Sequence, residues 1–178
     1  MCVESVPVNV ITFNTIINCF CHLDRVDFAF SLLAGIIKHG FVPDVFTYNT
    51  LIRGLISQDM PHEAQLLFQN LIRFKLIQPN VTYTVMIQAY CLEGLLDEAN
   101  ELFREMKAHD CLPNDVTYNT LIRCCLQNNK YYEADVLLDE MLGRRFAADA
   151  STTSVLLDLL EVQEPDPTLL ALREKYFP

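Results

Sequence analysis

The sequence lacks the short motifs through which most enzymes act. Its seven cysteines never form C-x-x-C, so a zinc site has no support. Neither a nucleophile elbow nor a phosphate-binding loop is present. The zinc-deaminase pattern, H-x-E with a later P-C-x-x-C, is also missing. We therefore expect no catalytic activity, no cofactor and no metal.

Signals for membranes and targeting are equally scarce. The uncharged stretch 5–23 contains Pro7, Asn9, Asn14 and Asn18, which argues against a membrane span. No charged segment precedes an apolar run, so secretion is not expected. The first 20 residues hold Glu4 and no Lys or Arg, so no organellar transit peptide is visible.

What the chain does contain is an internal repeat. Residues 47–53, Thr-Tyr-Asn-Thr-Leu-Ile-Arg, recur unchanged at 117–123, and weaker copies begin at Thr12 and Thr82. The spacing of 35 residues predicts a stack of identical small units. The units are assigned as the end of a preceding repeat at 1–9, repeat 1 at 10–44, repeat 2 at 45–79, repeat 3 at 80–114, repeat 4 at 115–149, and a partial repeat with C-terminal capping helices at 150–178.

Each unit reads as two helices. In repeat 3 the second helix has an apolar stripe with helical spacing, ending before Pro113; its members are Leu96, Ala99, Leu102, Phe103 and Met106. Gly94 separates this helix from the first. No segment alternates apolar and polar residues as a strand does. The sequence therefore predicts an all-α protein, an α-solenoid of stacked antiparallel helix pairs. Cysteines such as Cys19 and Cys124 share a register with small residues, which predicts buried packing.

The repeated phrases resemble a known family. A 35-residue unit that opens with Val-Thr-Tyr-Asn-Thr-Leu-Ile, continues with Asp-Glu-Ala and Glu-Met, and closes with Pro-Asn or Pro-Asp is similar to the pentatricopeptide repeat. The resemblance covers residues 10–149 and points to the P-type class. The tail, 149–160, looks like the end of the plant restorer-of-fertility-like group.

The resemblance implies binding of single-stranded RNA at one base per repeat. In the family, the polar residue after the Tyr or Phe position and the last residue of the unit select the base. The corresponding pairs here are Asn14 with Asp44, Asn49 with Asn80, Thr84 with Asn114, and Asn119 with Asp149. The family's pairing rule then gives U-C-A-U as the core of the target. Pro79 holds the strict register of Asp44, but the Pro-Asn order favours Asn80 as its counterpart.

The family also places apolar side chains on either side of each base. The residues at this position are Ile11, Phe46, Val81 and Val116. Without the resemblance, core packing is the favoured interpretation of all four.

The charge argues against a generic nucleic-acid binder. Lys and Arg number 13 against 23 Asp and Glu, a net of −10, whereas such proteins normally have a basic surface. The first-helix windows are neutral as a group, however, and the acid lies mainly in the second helices and the tail. We therefore expect weak RNA binding, and the chain is interpreted as a short or fragmentary member of a longer array.

The expected partner is single-stranded RNA, not DNA or a membrane, with protein partners supplying any nuclease or processing activity. By resemblance the site of action is the mitochondrion, with the chloroplast or cytoplasm as alternatives. Two other functions stay open: a protein-interaction solenoid that uses the same face, and a non-functional fragment of a longer RNA reader.

Overall fold

The computed structural model describes residues 9–76, 79–161 and 166–176, and these contain helices and turns but no strand. Consecutive helices pair in repeats 1, 2 and 4, in agreement with the predicted all-α fold of stacked helix pairs. The helices are α1 (Val10–His22), α2 (Val26–Lys38), α3 (Val45–Ser57), α4 (Pro61–Arg73), α5 (Pro79–Leu92), α6 (Leu96–Ala108), α7 (Asp115–Gln127), α8 (Tyr131–Gly143), α9 (Ala150–Leu160) and α10 (Pro167–Tyr176). The preceding repeat end predicted at 1–9 lies almost wholly outside the described residues.

The chain divides into two compact units, residues 1–86 and 87–178. In the first unit, α1 packs on α2 and also on α3, so the first helices of successive repeats are neighbours. The core includes Ile17, Ala29, Ile36 and Leu51, all with no exposed surface. These contacts are so close that a Cβ atom added to Gly54 of α3 would lie 2.6 Å from the Cys21 sulfur of α1.

The second unit repeats this arrangement with α7 against α8 and α9. Tyr118 of α7 is fully buried, with its ring 5.5 Å from that of Phe103. Its hydroxyl donates to Glu140 of α8 at 2.8 Å. Burial and this acceptor both raise the pKa of Tyr118. The buried hydroxyl is thus satisfied and holds α7 to α8.

The turns repeat as regularly as the helices. Each turn contains one residue with a positive φ, in the left-handed region of backbone conformation. In the turns within a repeat these residues are Asp24, Asp59, Gly94 and Asn129, and in the turns between repeats they are Gly40, Lys75, Asp110 and Arg145. The next amide then donates to the carbonyl five residues back, as Met60 does to Leu55 at 2.9 Å. This bond is the mark of a Schellman helix end. Only two of the eight positions hold the glycine that the conformation favours.

Burial confirms the predicted core stripe of α6, since all five of its residues are buried. One cysteine prediction is wrong, because Cys19 is exposed. Its counterpart Gly54 packs on the first helix of the preceding repeat, and no described helix precedes α1. Within the described part of the chain, no helix has the length and hydropathy needed to cross a bilayer.

Candidate functional site

The last residue of a repeat is also the residue that starts the next repeat's first helix. Asp44, Asn114 and Asp149 are the N-caps of α3, α7 and α9. Each side chain accepts a hydrogen bond from the backbone N–H of a threonine three residues later, at 2.8, 2.9 and 2.7 Å respectively. This bond satisfies an amide that the helix itself leaves unpaired. Three of the predicted base-reading residues therefore have a structural role.

In repeat 1 the two predicted base-reading residues contact each other. The Asn14 amide donates to the Asp44 carboxylate at 3.1 and 3.3 Å. The hydroxyl of Thr47 lies 2.6 Å from the Asn14 amide oxygen and 2.9 Å from Asp44 Oδ1. Asn14 is buried and Asp44 is exposed. The cluster therefore links α1 to the N-terminus of α3 and presents one carboxylate to solvent.

The environment keeps the Asp44 carboxylate charged. Burial tends to raise its pKa, but the Thr47 backbone and hydroxyl groups and the Asn14 amide outweigh burial and lower it. An ionised carboxylate only accepts hydrogen bonds. Asp44 Oδ1 is contacted by the Thr47 N–H, the Thr47 hydroxyl and the Asn14 amide, so Oδ2, with a single contact at 3.3 Å, is the oxygen more available to a ligand.

Repeat 4 brings the same pair together in a different way. The Asn119 amide oxygen accepts from the Asp149 backbone N–H at 2.9 Å and from the Thr152 hydroxyl at 2.8 Å. Arg123 contacts both Asp149 carboxylate oxygens, at 3.0 and 2.9 Å. Burial raises the pKa of Asp149, but the Thr152 groups and Arg123 lower it more. This carboxylate is therefore already bound to a cation, unlike that of Asp44.

Repeat 2 differs because of one proline. Pro79 stands in the register of Asp149 but has no N–H to donate to the asparagine of the preceding helix. The Asn49 amide oxygen is buried and has no hydrogen-bond partner among the described atoms. Asn80 is exposed and lies in the first turn of α5, not at an N-cap like Asp44. Repeat 2 therefore has an unsatisfied acceptor where repeats 1 and 4 have closed networks.

The two members of the repeat 3 pair belong to different units. Thr84 is buried in the first unit, and its hydroxyl donates to the Asn80 carbonyl at 3.0 Å. Asn114 is exposed in the second unit, where its side chain accepts from Thr117.

The four predicted base-sandwiching residues are exposed. The exposed fractions are 74% for Ile11, 58% for Phe46, 47% for Val81 and 43% for Val116. Each lies in the first turns of a first helix, three residues before the buried asparagine or threonine of its repeat. The core-packing interpretation is therefore wrong for all four. Their exposure leaves an apolar contact surface beside each polar pair.

Three residues at these clusters were not predicted from the sequence. Thr47 and Thr152 bind both members of their polar pairs, and Arg123 neutralises Asp149. The threonine signal was visible, because an N-cap Asp or Asn is followed three residues later by Thr in each case. Arg123 belongs to the repeated phrase and has Arg53 as its counterpart.

Chemically, these clusters offer hydrogen-bond donors and acceptors beside apolar surfaces. Within the described residues, no three His, Cys, Asp or Glu side chains are close enough to hold a metal ion. The arrangement is suited to holding flat polar groups.

Comparison with known proteins identifies the family. The PPR repeat family matches residues 8–57, 78–126 and 113–160, and a second PPR repeat pattern matches residues 46–76. The chain belongs to the PPR repeat family. No curated protein sequence gives a significant match.

Solved PPR structures share the fold. The crystal structure of PPR10, a maize protein, in complex with an 18-nt psaJ RNA element matches 97% of this chain with a TM-score of 0.71 and 22% identity. The PPR domain of Arabidopsis thaliana protein-only RNase P 1 in complex with tRNA matches 89%, with a TM-score of 0.59 and 17% identity. This PPR chain spans 29% of the length of PPR10 and 84% of the RNase P 1 domain. At these identities the likeness establishes the fold alone.

Proposed function

We propose that this PPR chain binds single-stranded RNA through the first helices of its repeats, one base per repeat. The observation that carries the proposal is the exposure of Ile11, Phe46, Val81 and Val116 at a period of 35 residues. Exposed apolar side chains at one register of every repeat have no role in the core. A stacked nucleobase covers such a side chain and removes its apolar surface from water.

The polar pairs alone do not carry the proposal. N-capping is enough to explain why Asp or Asn returns every 35 residues, because each helix needs a cap. Inter-repeat hydrogen bonds likewise account for Asn14 and Asn119. The support for RNA lies in the combination, since each cluster lies in the same helix turns as an exposed apolar side chain. A peptide groove has no need of both at one fixed register.

The base assignments follow the family's pairing rule, and the open atoms at the first position agree with it. Asp44 Oδ2 is an acceptor suited to the N3–H of uracil, in agreement with U at the first position. Asn49 with Asn80 gives C at the second position by the family's pairing rule, with the exposed Asn80 as the more accessible member of the pair. Thr84 with Asn114 gives A by the family's pairing rule. Asn119 with Asp149 gives U, with Arg123 competing for the carboxylate. The proposed core remains U-C-A-U.

Affinity should be modest. Stacking contributes ~1–3 kcal/mol per base, so four bases contribute roughly 4–12 kcal/mol. Association costs roughly 4–15 kcal/mol in lost freedom. The two sums nearly cancel, so binding in the micromolar range or weaker is expected.

The biological setting is also a proposal, and it rests on family resemblance. We place the chain among P-type, restorer-like plant proteins that act in mitochondrial RNA processing or stability. In this role the chain selects the transcript and a protein partner supplies any nuclease activity.

The first test is a titration in low-salt buffer against a single-stranded RNA that contains UCAU in an unstructured context. The control RNA carries the same four bases in scrambled order. Preference for UCAU supports modular reading. Equal binding to both RNAs rejects base selection, and absence of binding favours the protein-interaction function or a fragment without activity.

A pair of phenylalanine variants tests the contact surface itself. Phe46→Ser removes an exposed ring from the proposed RNA face, and Phe74→Ser removes a ring of similar exposure, 65%, from the end of α4. Loss of one stacking contact should weaken RNA binding at least fivefold in Phe46→Ser. Phe74→Ser should bind as the unchanged chain does. Equal effects of the two substitutions would contradict the proposed face.

A further inference from the structure

The second helices of the second unit form an acidic groove that the RNA function does not use. The groove lies between α6 and α8, has a volume of about 700 Å³, and has Phe103 and Leu137 in its floor. Four carboxylates line it, Asp97, Glu98, Glu101 and Glu133. Two apolar surfaces also face it, since Tyr132 is 74% and Val136 49% exposed.

The fold does not require this acidity. Helices α6 and α8 together carry eight acidic and two basic residues, whereas their counterparts α2 and α4 carry two of each. One acid in the first turn of a helix favours its dipole, and α2 and α4 have one each, Asp27 and Glu63. Helix α6 has two in its first turn and Glu101 beyond it. The same helix pair therefore folds in the first unit without a negative groove.

On α8 the acids outside the groove are paired, and the groove acids are not. Asp135 and Asp139 of α8 both bind Lys175 at 2.8 Å, and Glu140 binds Lys107 at 2.9 Å. Among the described residues, none of the four groove carboxylates forms an ion pair. The lining includes one cation, Arg104, whose Nε donates to the Asn100 carbonyl at 3.3 Å. Four carboxylates against one guanidinium leave the groove with a net negative charge.

The chain itself shows what kind of segment binds such a surface. Helix α10 lies against α8 with Leu169 and Leu172 buried. Its Lys175 and the Tyr176 hydroxyl contact Asp135 and Asp139 at 2.6–2.8 Å. A short helix with leucines on one side and a cation beside them is thus held by the acids of α8. The groove offers the same two features, carboxylates and apolar surface, between α8 and α6.

We infer that this groove is a docking site for a basic amphipathic helix of a partner protein. Nucleic acid is disfavoured, because its phosphates would face four carboxylates. A single metal ion is disfavoured too, since the described acids do not converge on one point. A helix can place an apolar side chain between Tyr132 and Val136 and Lys or Arg beside the carboxylates. Such a partner would be brought to the RNA without contacting the first helices.

The test uses the full chain and a fluorescent synthetic helix of leucine and lysine, with all leucines on one face. The groove variant combines Glu98→Gln, Glu101→Gln and Tyr132→Ser. The matched control combines Asp158→Asn, Glu161→Gln and Leu157→Ser, which removes equal charge and one exposed apolar side chain from the end of α9. Circular dichroism establishes that both variants are folded.

We expect the groove variant to bind the peptide at least tenfold more weakly and the control to lose less than twofold. Equal losses, or no loss in the groove variant, would overturn the inference. So would an oligolysine peptide of equal charge that binds as tightly as the amphipathic one, because acidity alone would then explain binding. Saturating UCAU RNA should not displace the peptide. This result separates failure of the docking site from failure of the RNA function, which is measured in its own titration.

Discussion

Asp44 combines a structural and a proposed recognition role, and two substitutions at this residue separate them. Asp44→Ala removes the N-cap of α3, which costs ~1 kcal/mol. It also leaves the buried Asn14 amide without the acceptor that it has at 3.1 Å, at a cost of ~1–3 kcal/mol. Asp44→Asn keeps a capping oxygen of equal quality and should cost about 0.5 kcal/mol. The two variants should thus differ by roughly 2 kcal/mol in the free energy of unfolding.

Urea unfolding followed by circular dichroism measures the difference. With a slope of about 2 kcal/mol per molar urea, the midpoint of Asp44→Ala should lie ~1 M below that of Asp44→Asn. In the RNA titration, Asp44→Asn should move the preference at the first base from U toward C. Equal midpoints would refute the cap and its bond to Asn14. An unchanged base preference would leave Asp44 with capping as its only role.

Three further substitutions probe the packing and the site. Gly54→Ala should destabilise the fold by ~1 kcal/mol in urea unfolding, because overpacking against Cys21 outweighs the better helix propensity of Ala. In a Cys21→Gly chain, where the clashing side chain is gone, the same substitution should stabilise the fold relative to Cys21→Gly alone. Arg145→Gly relieves a left-handed residue and should raise the unfolding midpoint by the equivalent of ~1 kcal/mol; a lower midpoint would contradict that strain. Arg123→Ala frees the Asp149 carboxylate, so the variant should prefer U more strongly among RNAs that differ at the fourth base. The loss of folding stability should stay below ~1 kcal/mol. Unchanged discrimination would show that Arg123 does not compete with the base.

Acid should weaken the fold through the same carboxylates. The pKa values of Asp44 and Asp149 are lower in the folded chain than their ordinary value, so both contribute stability at neutral pH. That contribution is complete above the ordinary aspartate pKa of about 4 and is lost as the pH falls through the lowered values. The urea concentration at the unfolding midpoint should therefore decrease once the pH is below about 4. Asp44→Asn should show a smaller fall than the unchanged chain.

The repeat made most of the fold predictable. A period that recurs in four registers gives the helix pairs, and the apolar stripe of α6 follows from helical spacing alone. The left-handed turn residues were not predictable from residue type, because Lys75 and Arg145 do not favour this conformation. They adopt it since the Schellman bonds at each helix end and the packing of both helices determine the turn.

The site was predictable in composition but not in geometry. Sequence reasoning selected the pair of Asn119 and Asp149, but not the competition from Arg123, which depends on a contact across 26 residues. It also gave no reason for Asn49 to differ from Asn119. Pro79 lacks the N–H that Asp149 donates to the Asn119 amide oxygen, so a backbone difference changes the hydrogen bonding of a side chain on another helix. Such effects depend on which groups the fold brings together.

The salt dependence of RNA binding offers a last test of how the charge is arranged. The first helices contain two cations, Arg53 and Arg123, and the second of these is held by Asp149. Each phosphate neutralised on a single strand contributes about −0.7 to the slope of log K against log salt concentration. The slope should therefore be no steeper than about −1.4, whereas nucleic-acid binders that make many phosphate contacts have much steeper slopes. A shallow slope is the result expected when stacking on the exposed apolar side chains dominates. A slope of about −3 or steeper would mean that RNA binds a basic surface elsewhere on the chain, and the first-helix face would be the wrong one.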